Sequence, residues 1–255
     1  AFNEMAEGLL EKSQVKDALS RYVSPGVATE ILANLNDVEL VGKRIEGSVL
    51  FADIIGFTRI AENIRPEELV NLLNRYFTLI THACEINNGI VDKYLGDGVM
   101  LVFGAPQPHS DHCFSAIACA ILIQRLIAQE NRLREAEGQF PMDFRIGINS
   151  GTMLAGNMGS AERMEYTVVG DTVNVASRLC GIANHEQIVV AREVYQSETI
   201  MPRVLAGEYQ AIRLRGITQP VTTYLVESLT ADWQDVIDHQ LDTITGLING
   251  EPANA

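Results

Sequence analysis

Met5, Leu9, Val15, Leu19 and Tyr22 recur near helical spacing and predict a helix over 2–22. Its heptad is imperfect, because Gly8 and Lys12 stand where leucine is expected. Ser24 before Pro25 reads as a second start, with Ser24 as N-cap, Pro25 in the first helical position and Val27, Ile31, Leu32 and Leu35 as the apolar face. The pattern then changes period. GSVLFADII, over 47–55, is a short apolar run rich in β-formers and predicts a buried strand. Pro66 opens a long helix through Leu69, Leu72, Leu73, Phe77, Ile80 and Cys84, stopped near Asn88-Gly89. Strands over 90–95 and 99–103 follow, joined by a tight hairpin at Gly96-Asp97-Gly98. An amphipathic helix is expected from 111 to about 136, strands over 143–155 and 163–169, and a helix from 172 to about 183 with Asp171 as its N-cap. Short strands are expected around Ile188, Ile212 and Tyr224, and beyond Leu229 a polar, partly helical or frayed tail.

Strand, helix, two strands, helix, strand is the order of a ferredoxin-like βαββαβ core, here with a C-terminal strand extension, so the fold class is α+β. The chain divides into a helical connector over 1–44, a folded unit over 45–229 and a tail over 230–255.

Composition narrows the function. Hydrophobic residues are 47% of the 255, enough for an ordinary core. With 33 acidic against 19 basic residues the net charge is −14, which repels nucleic acid and anionic lipid and excludes general polyanion binding. Any phosphate must be met by a few placed cations or by metal ions. Cys84, Cys113, Cys119 and Cys180 form no CxxC pair and read as buried, reduced thiols, which fits a cytoplasmic compartment. No apolar run approaches the roughly 20 residues that span a bilayer. The chain opens inside a helix, so a longer parent protein is expected.

Two carboxylates stand out. Asp53 lies at the end of a buried strand in FADIIGFT, where a charge is costly unless it is paired or bound to metal; a helix cap is the plain alternative. Gly56 after it permits close approach of a ligand, and backbone N–H groups where Thr58 opens a short helix favour phosphate oxygens. Asp97 sits between two glycines in KYLGDGVMLVF, where an ordinary turn is the alternative. If the two strands are neighbours, both carboxylates converge on one edge, as a site for two hard divalent ions requires. Alternation puts Lys93 on the face of Val91 and Leu95; an edge lysine that discourages aggregation is the other reading. Within EYTVVGDTVNVASRL, Asn174 and Arg178 are four apart and project together, suiting a ribose and a phosphoryl group, or lie on a solvated face. Arg145 in FRIGINSG and Arg215 in LRG are further cations in strand-like contexts. There is no dinucleotide fingerprint and no P-loop.

FADIIGFT, DKYLGDG, FRIGINSG and EYTVVGDTVNVASRL, in that order between 47 and 229, resemble the class III nucleotidyl cyclases. The leader, with FNEMAEGL and RYVSPGVATEIL, is similar to the end of a HAMP signalling segment and its connector. The resemblance implies that 45–229 is a catalytic domain closing ATP into cyclic AMP with two Mg²⁺ or Mn²⁺ ions. It implies Asp53, Ile54 and Asp97 at the metals, and Lys93 with Thr167 at the adenine. Arg145 and Arg215 fall to the phosphates, Asn174 to the ribose and Arg178 to the transition state. It also implies a homodimer, with Asp53, Asp97 and Arg145 from one protomer and Lys93, Thr167, Asn174 and Arg178 from the other. An upstream sensor or membrane region of the same polypeptide would drive what is then the cytoplasmic domain of an anchored protein. A guanylyl cyclase, disfavoured by Lys93 and Thr167, and a silent cyclase-like signalling module are the alternatives.

Overall fold

The computed structural model describes residues 23–24, 26–29, 42–160, 162–213, 220–248 and 250. The helix expected over 2–22, most of the second leader helix and Arg215 lie outside them.

The elements run β1 (Gly42–Ile54), α1 (Phe57–Ala61), α2 (Pro66–Ile86), β2 (Gly89–Leu95), β3 (Gly98–Phe103), α3 (His112–Ala136), β4 (Phe144–Gly159), β5 (Met164–Val169) and α4 (Asp171–Ile182), then β6 (Ile188–Ala191), α5 (Arg192–Tyr195), β7 (Val204–Ile212), β8 (Val221–Leu229) and α6 (Ala231–Ile248). The eight strands form one sheet ordered β2-β3-β1-β4-β6-β8-β7, with β5 hydrogen-bonded to the far half of β4. The first four strands take the ferredoxin-like order, β4-β1-β3-β2, antiparallel throughout. β6 is parallel to β4, joined to it through β5 and α4, and β7 and β8 complete the expected C-terminal extension.

α2 begins as its sequence dictates: Pro66 occupies the first turn, where its missing N–H costs nothing, and Glu67 and Glu68 complement the helix dipole. Its buried face is Leu72, Tyr76, Leu79, Ile80, Ala83 and Cys84, a helical stripe. It stops where Asn88 turns to φ 58 and Gly89 lies against Phe103; a Cβ on Gly89 would meet that ring at 2.5 Å. Tyr76 brings a hydroxyl into the core, where it donates to Asn131 Oδ1 at 2.8 Å. Asn131 also bonds both main-chain groups of Met142, so this buried polar cluster is satisfied.

α3 differs from the amphipathic helix expected. It is buried almost all round from Phe114 to Ile123, and by length and composition it could cross a membrane, against the reading that no run approaches that size. Two-thirds of its most apolar stretch is buried inside the protein. α3 lies between the sheet, α2 and the stretch after Leu229, where the expected partly helical tail is a helix. There Trp233, Ile237, Leu241, Ile244 and Ile248 recur at helical spacing and form the inner face of α6, packed on the same core. Arg203 fastens this corner: it pairs with both carboxylate oxygens of Asp111 and lies over the rings of Phe114 and Trp233.

The second face of the sheet carries a smaller cluster, Val49, Met100, Val102, Met153, Ala155 and Val168 among it, covered by α4 through Ala176 and Val173. α4 lies so close to β4 that a Cβ on Gly147 would stand 2.0 Å from the Cys180 nitrogen and 2.6 Å from the Ala176 carbonyl. The N-cap of α4 is Gly170, at φ 145, and Asp171 is the first helical residue, so the expected Asp171 cap is one position out. Side chains hold this end instead: Asn149 donates to the Thr172 carbonyl at 3.0 Å and Thr172 to the Thr152 carbonyl at 2.9 Å.

Candidate functional site

Asp53 is the next-to-last residue of β1, opposite Gly98 on one side and Arg145 on the other. Arg145 donates Nε and Nη2 to Asp53 Oδ2 at 3.0 and 2.6 Å, and Nη1 to the Gly181 carbonyl of α4 at 3.2 Å. The helix-cap alternative for Asp53 drops out, since α1 is capped by Gly56 with no side-chain bond. Gly98 makes room: a Cβ there would press on Asp53 Oδ1 at 3.2 Å and on the Ala52 carbonyl at 3.0 Å. Asp97 stands at the hairpin tip between the paired residues Leu95 and Gly98, in a loop opened by Gly96 at φ 71. Burial pushes the Asp97 carboxyl up, opposed by its own backbone hydrogen bond; the Asp53 charge adds to the rise and Arg145 works against it. The two carboxylates therefore feel one another across the sheet end, as neighbouring strands require.

A cleft of about 270 Å³ opens here, lined by Asp53, Gly98 and Arg145 from the sheet and by Ser177, Cys180 and Gly181 from α4. Burial pushes the Cys180 thiol up to about 12, so it is an inert wall rather than a nucleophile. Among the described residues no three His, Cys, Asp or Glu side chains group as a full metal shell. Two carboxylates in mutual repulsion are nevertheless a fitting pair of hard oxygen donors for Mg²⁺ or Mn²⁺, which take few protein ligands and complete their shell with phosphate and water. Ile54 has its side chain in the core, so only its main-chain carbonyl is available to such an ion.

Lys93 departs from strict alternation. Val91 pairs with Leu101 and Lys93 with Met100, so Asp92 is an extra residue, a β-bulge. Val91 and Leu101 belong to the large core, Met100 to the small cluster on the other face. The bulge thus turns Lys93 to the face opposite Val91. Tyr94, back on the large-core side, stacks on Phe77 of α2 at 4.4 Å. On its new face Lys93 donates to Glu165 Oε1 at 2.6 Å and lies 3.4 Å from Asp92 Oδ2. Burial works to lower its ammonium, but Glu165 and Asp92 together outweigh that and raise it. Thr167 donates to the same Asp92 oxygen at 2.9 Å. Lys93 and Thr167, 74 positions apart in sequence, therefore meet through one carboxylate. Asp92 was missed in the sequence, although the cost of a buried charge applied to Asp53 applies equally to it.

Asn174 and Arg178 lie on the exposed side of α4 with Ser177 and Gly181, while Val175 and Leu179 face the large core and Val173 and Ala176 the small cluster. The structure thus brings Asp53, Asp97 and Arg145 to one sheet end, Lys93 and Thr167 to another place, and Asn174 with Arg178 to one helix face.

A family model described as the adenylate and guanylate cyclase catalytic domain matches residues 43–228. The adenylyl cyclase CyaB of P. aeruginosa shares 32% identity over 76% of this chain and 99% of its own, with a TM-score of 0.71. The guanylyl cyclase Cya2 is as similar, at 31% identity over 76% and 98%, also with a TM-score of 0.71. A protein of Mycobacterium tuberculosis, Rv1320c, is 35% identical over 95% of this chain, which spans 43% of that relative's length.

Proposed function

Because the chain belongs to the adenylate and guanylate cyclase catalytic domain family, we propose that it is an adenylyl cyclase, forming 3′,5′-cyclic AMP and pyrophosphate from ATP at sites shared by two copies of the chain. The observation that carries the choice of base is the meeting of Lys93 with Thr167 at Asp92. An ammonium can only donate, which matches the lone pair on adenine N1 and not the N1–H of guanine. The equal likeness to a guanylyl cyclase keeps that second reading in the experiment.

Each side chain then has one task. Arg145, released from Asp53, holds the distal phosphates through its planar fork, and Arg215 adds a cation there. Asn174 fixes the ribose so that its 3′-oxygen lies in line with the α-phosphorus and the departing pyrophosphate. Arg178, on the same helix face, meets the charge that grows on the α-phosphoryl oxygens. Asp53, Asp97 and the Ile54 carbonyl would hold divalent metal, which when bound supplies the acidity of the 3′-hydroxyl and neutralises the triphosphate. α4 seats Asn174 and Arg178, and Leu154, Met164 and Val169 around its sheet edge are exposed apolar side chains that support pairing with a second copy. Residues 1–44 serve as a HAMP-like connector from an upstream sensor or membrane region, which the greater length of the relatives supports.

Purified protein incubated with ATP or GTP and Mg²⁺ or Mn²⁺ is expected to release cyclic AMP and pyrophosphate from ATP, with specific activity rising with protein concentration. Preferential cyclic GMP formation would establish the second reading, and absence of product under all four conditions would leave a signalling module.

A further inference from the structure

A buried carboxylate unused by the phosphate chemistry lies behind the base-reading pair. The Asp92 side chain is 1% exposed and occupies the bulge of β2, where the extra residue is freed from the ladder. Such a group persists only with partners, and its Oδ2 has two, the Thr167 hydroxyl at 2.9 Å and the Lys93 ammonium at 3.4 Å. A threonine hydroxyl has one hydrogen and two lone pairs. Left to itself it serves a donor or an acceptor equally well, and cannot tell the 6-amine of adenine from the 6-oxygen of guanine. Once its hydrogen is committed to Asp92, only lone pairs remain for a ligand.

We propose that Asp92 is a positioning residue for base selectivity: by taking the Thr167 hydrogen and holding Lys93 alongside, it makes the pair an acceptor next to a donor, the complement of an adenine edge. This rests on the adenylyl cyclase reading. Guanine reverses both positions, offering N1–H to Lys93 and an oxygen to Thr167, so each contact becomes a clash of like partners. The selectivity is thus set by a side chain that never touches the nucleotide.

The test compares kcat/KM for ATP and for the purine nucleoside triphosphate lacking the 6-amine, in wild type and Asp92→Leu. Leucine keeps the branched shape but has no oxygen to accept the Thr167 hydrogen, so that hydroxyl is free to turn. Activity on ATP is expected to fall about tenfold, mainly through KM, while activity on the amine-less nucleotide changes less than about twofold. Thr167→Val, which leaves Asp92 in place, should show the same loss confined to the amine. Equal losses on both nucleotides mean that Asp92 only supports the fold, and an unchanged ATP value means that it does not orient Thr167; either result overturns the inference. A wild type that prefers GTP, or turns over neither, removes the adenylyl cyclase reading and this inference with it. A wild type that prefers ATP while Asp92→Leu keeps its selectivity removes the inference alone.

Discussion

Arg178 and Asn174 stand on the outer side of a helix whose other two faces are committed to packing, so their removal leaves the core untouched. Arg178→Ala is expected to fold normally and to lower turnover by about 10²–10³-fold, the range for losing one donor to a transition state. Steady-state kinetics with a thermal melt checks both halves, and a rise in KM with kcat unchanged would place the residue in substrate binding instead. His112 makes a different kind of prediction. Its Nδ1 lies 2.8 Å from the Ser48 hydroxyl, close to Ser150 and Cys113, and burial lowers its pKa below the ordinary histidine value. The unfolded chain then takes up the proton more readily. The stability contributed is full above about pH 6.5 and is lost as pH falls from there through the folded value. Melting temperature measured from pH 7.5 downward should fall more steeply for wild type than for His112→Gln. At this scale the sequence pointed to Asp53, where charge broke an apolar run, and to Asp97, framed by glycines, and the structure brings both to one sheet end. Asp92 carries no such signal: it stands beside a second charge, Lys93, and nothing in VDKYL announces a bulge.

The elements were legible wherever the periodic pattern was strong and the stops were chemical: α2 between Pro66 and Asn88-Gly89, and the β2–β3 hairpin at Gly96-Asp97. They were less legible where burial comes from a partner far along the chain. The partly helical end expected beyond Leu229 is a full helix, α6, and this cover from far along the chain buries α3 more completely than an amphipathic pattern predicts. Seating of α4 depends on one position. Gly147→Ala would drive a methyl group to within 2.0 Å of the Cys180 backbone, and a backbone cannot swing aside as a side-chain end can. The helix must lift from β4, carrying Asn174 and Arg178 with it. The expected result is a loss of about 1–3 kcal/mol or more in stability and a larger fall in turnover than stability explains. Chemical denaturation and activity below the transition check the two separately; full activity would show that α4 does not position the chemistry.

Over the whole molecule, Lys93 and Asp97 are four residues apart yet belong to different groupings, one on the small-cluster face with Thr167, the other at the sheet end with Asp53. Lys93 lies within β2, whereas Asp97 lies past its end in the turn to β3, so the fold holds the two in separate places. In the proposed dimer, two copies facing one another would give each nucleotide the sheet end of one chain and the Lys93–Thr167 face of the other, so that Lys93 and Asp97 of a single chain would serve different nucleotides. This arrangement predicts rescue by mixing. Asp97→Ala alone and Arg178→Ala alone should each be nearly inactive, since every site in either homodimer carries the defect. Mixed in equal amounts and allowed to exchange, half the dimers contain one of each chain, and in each of these one site collects both substitutions while the other has neither. About a quarter of all sites are then intact, and activity should recover to about that fraction of wild type, following the rate of subunit exchange. A site built within one chain allows no recovery, because no chain in the mixture is whole.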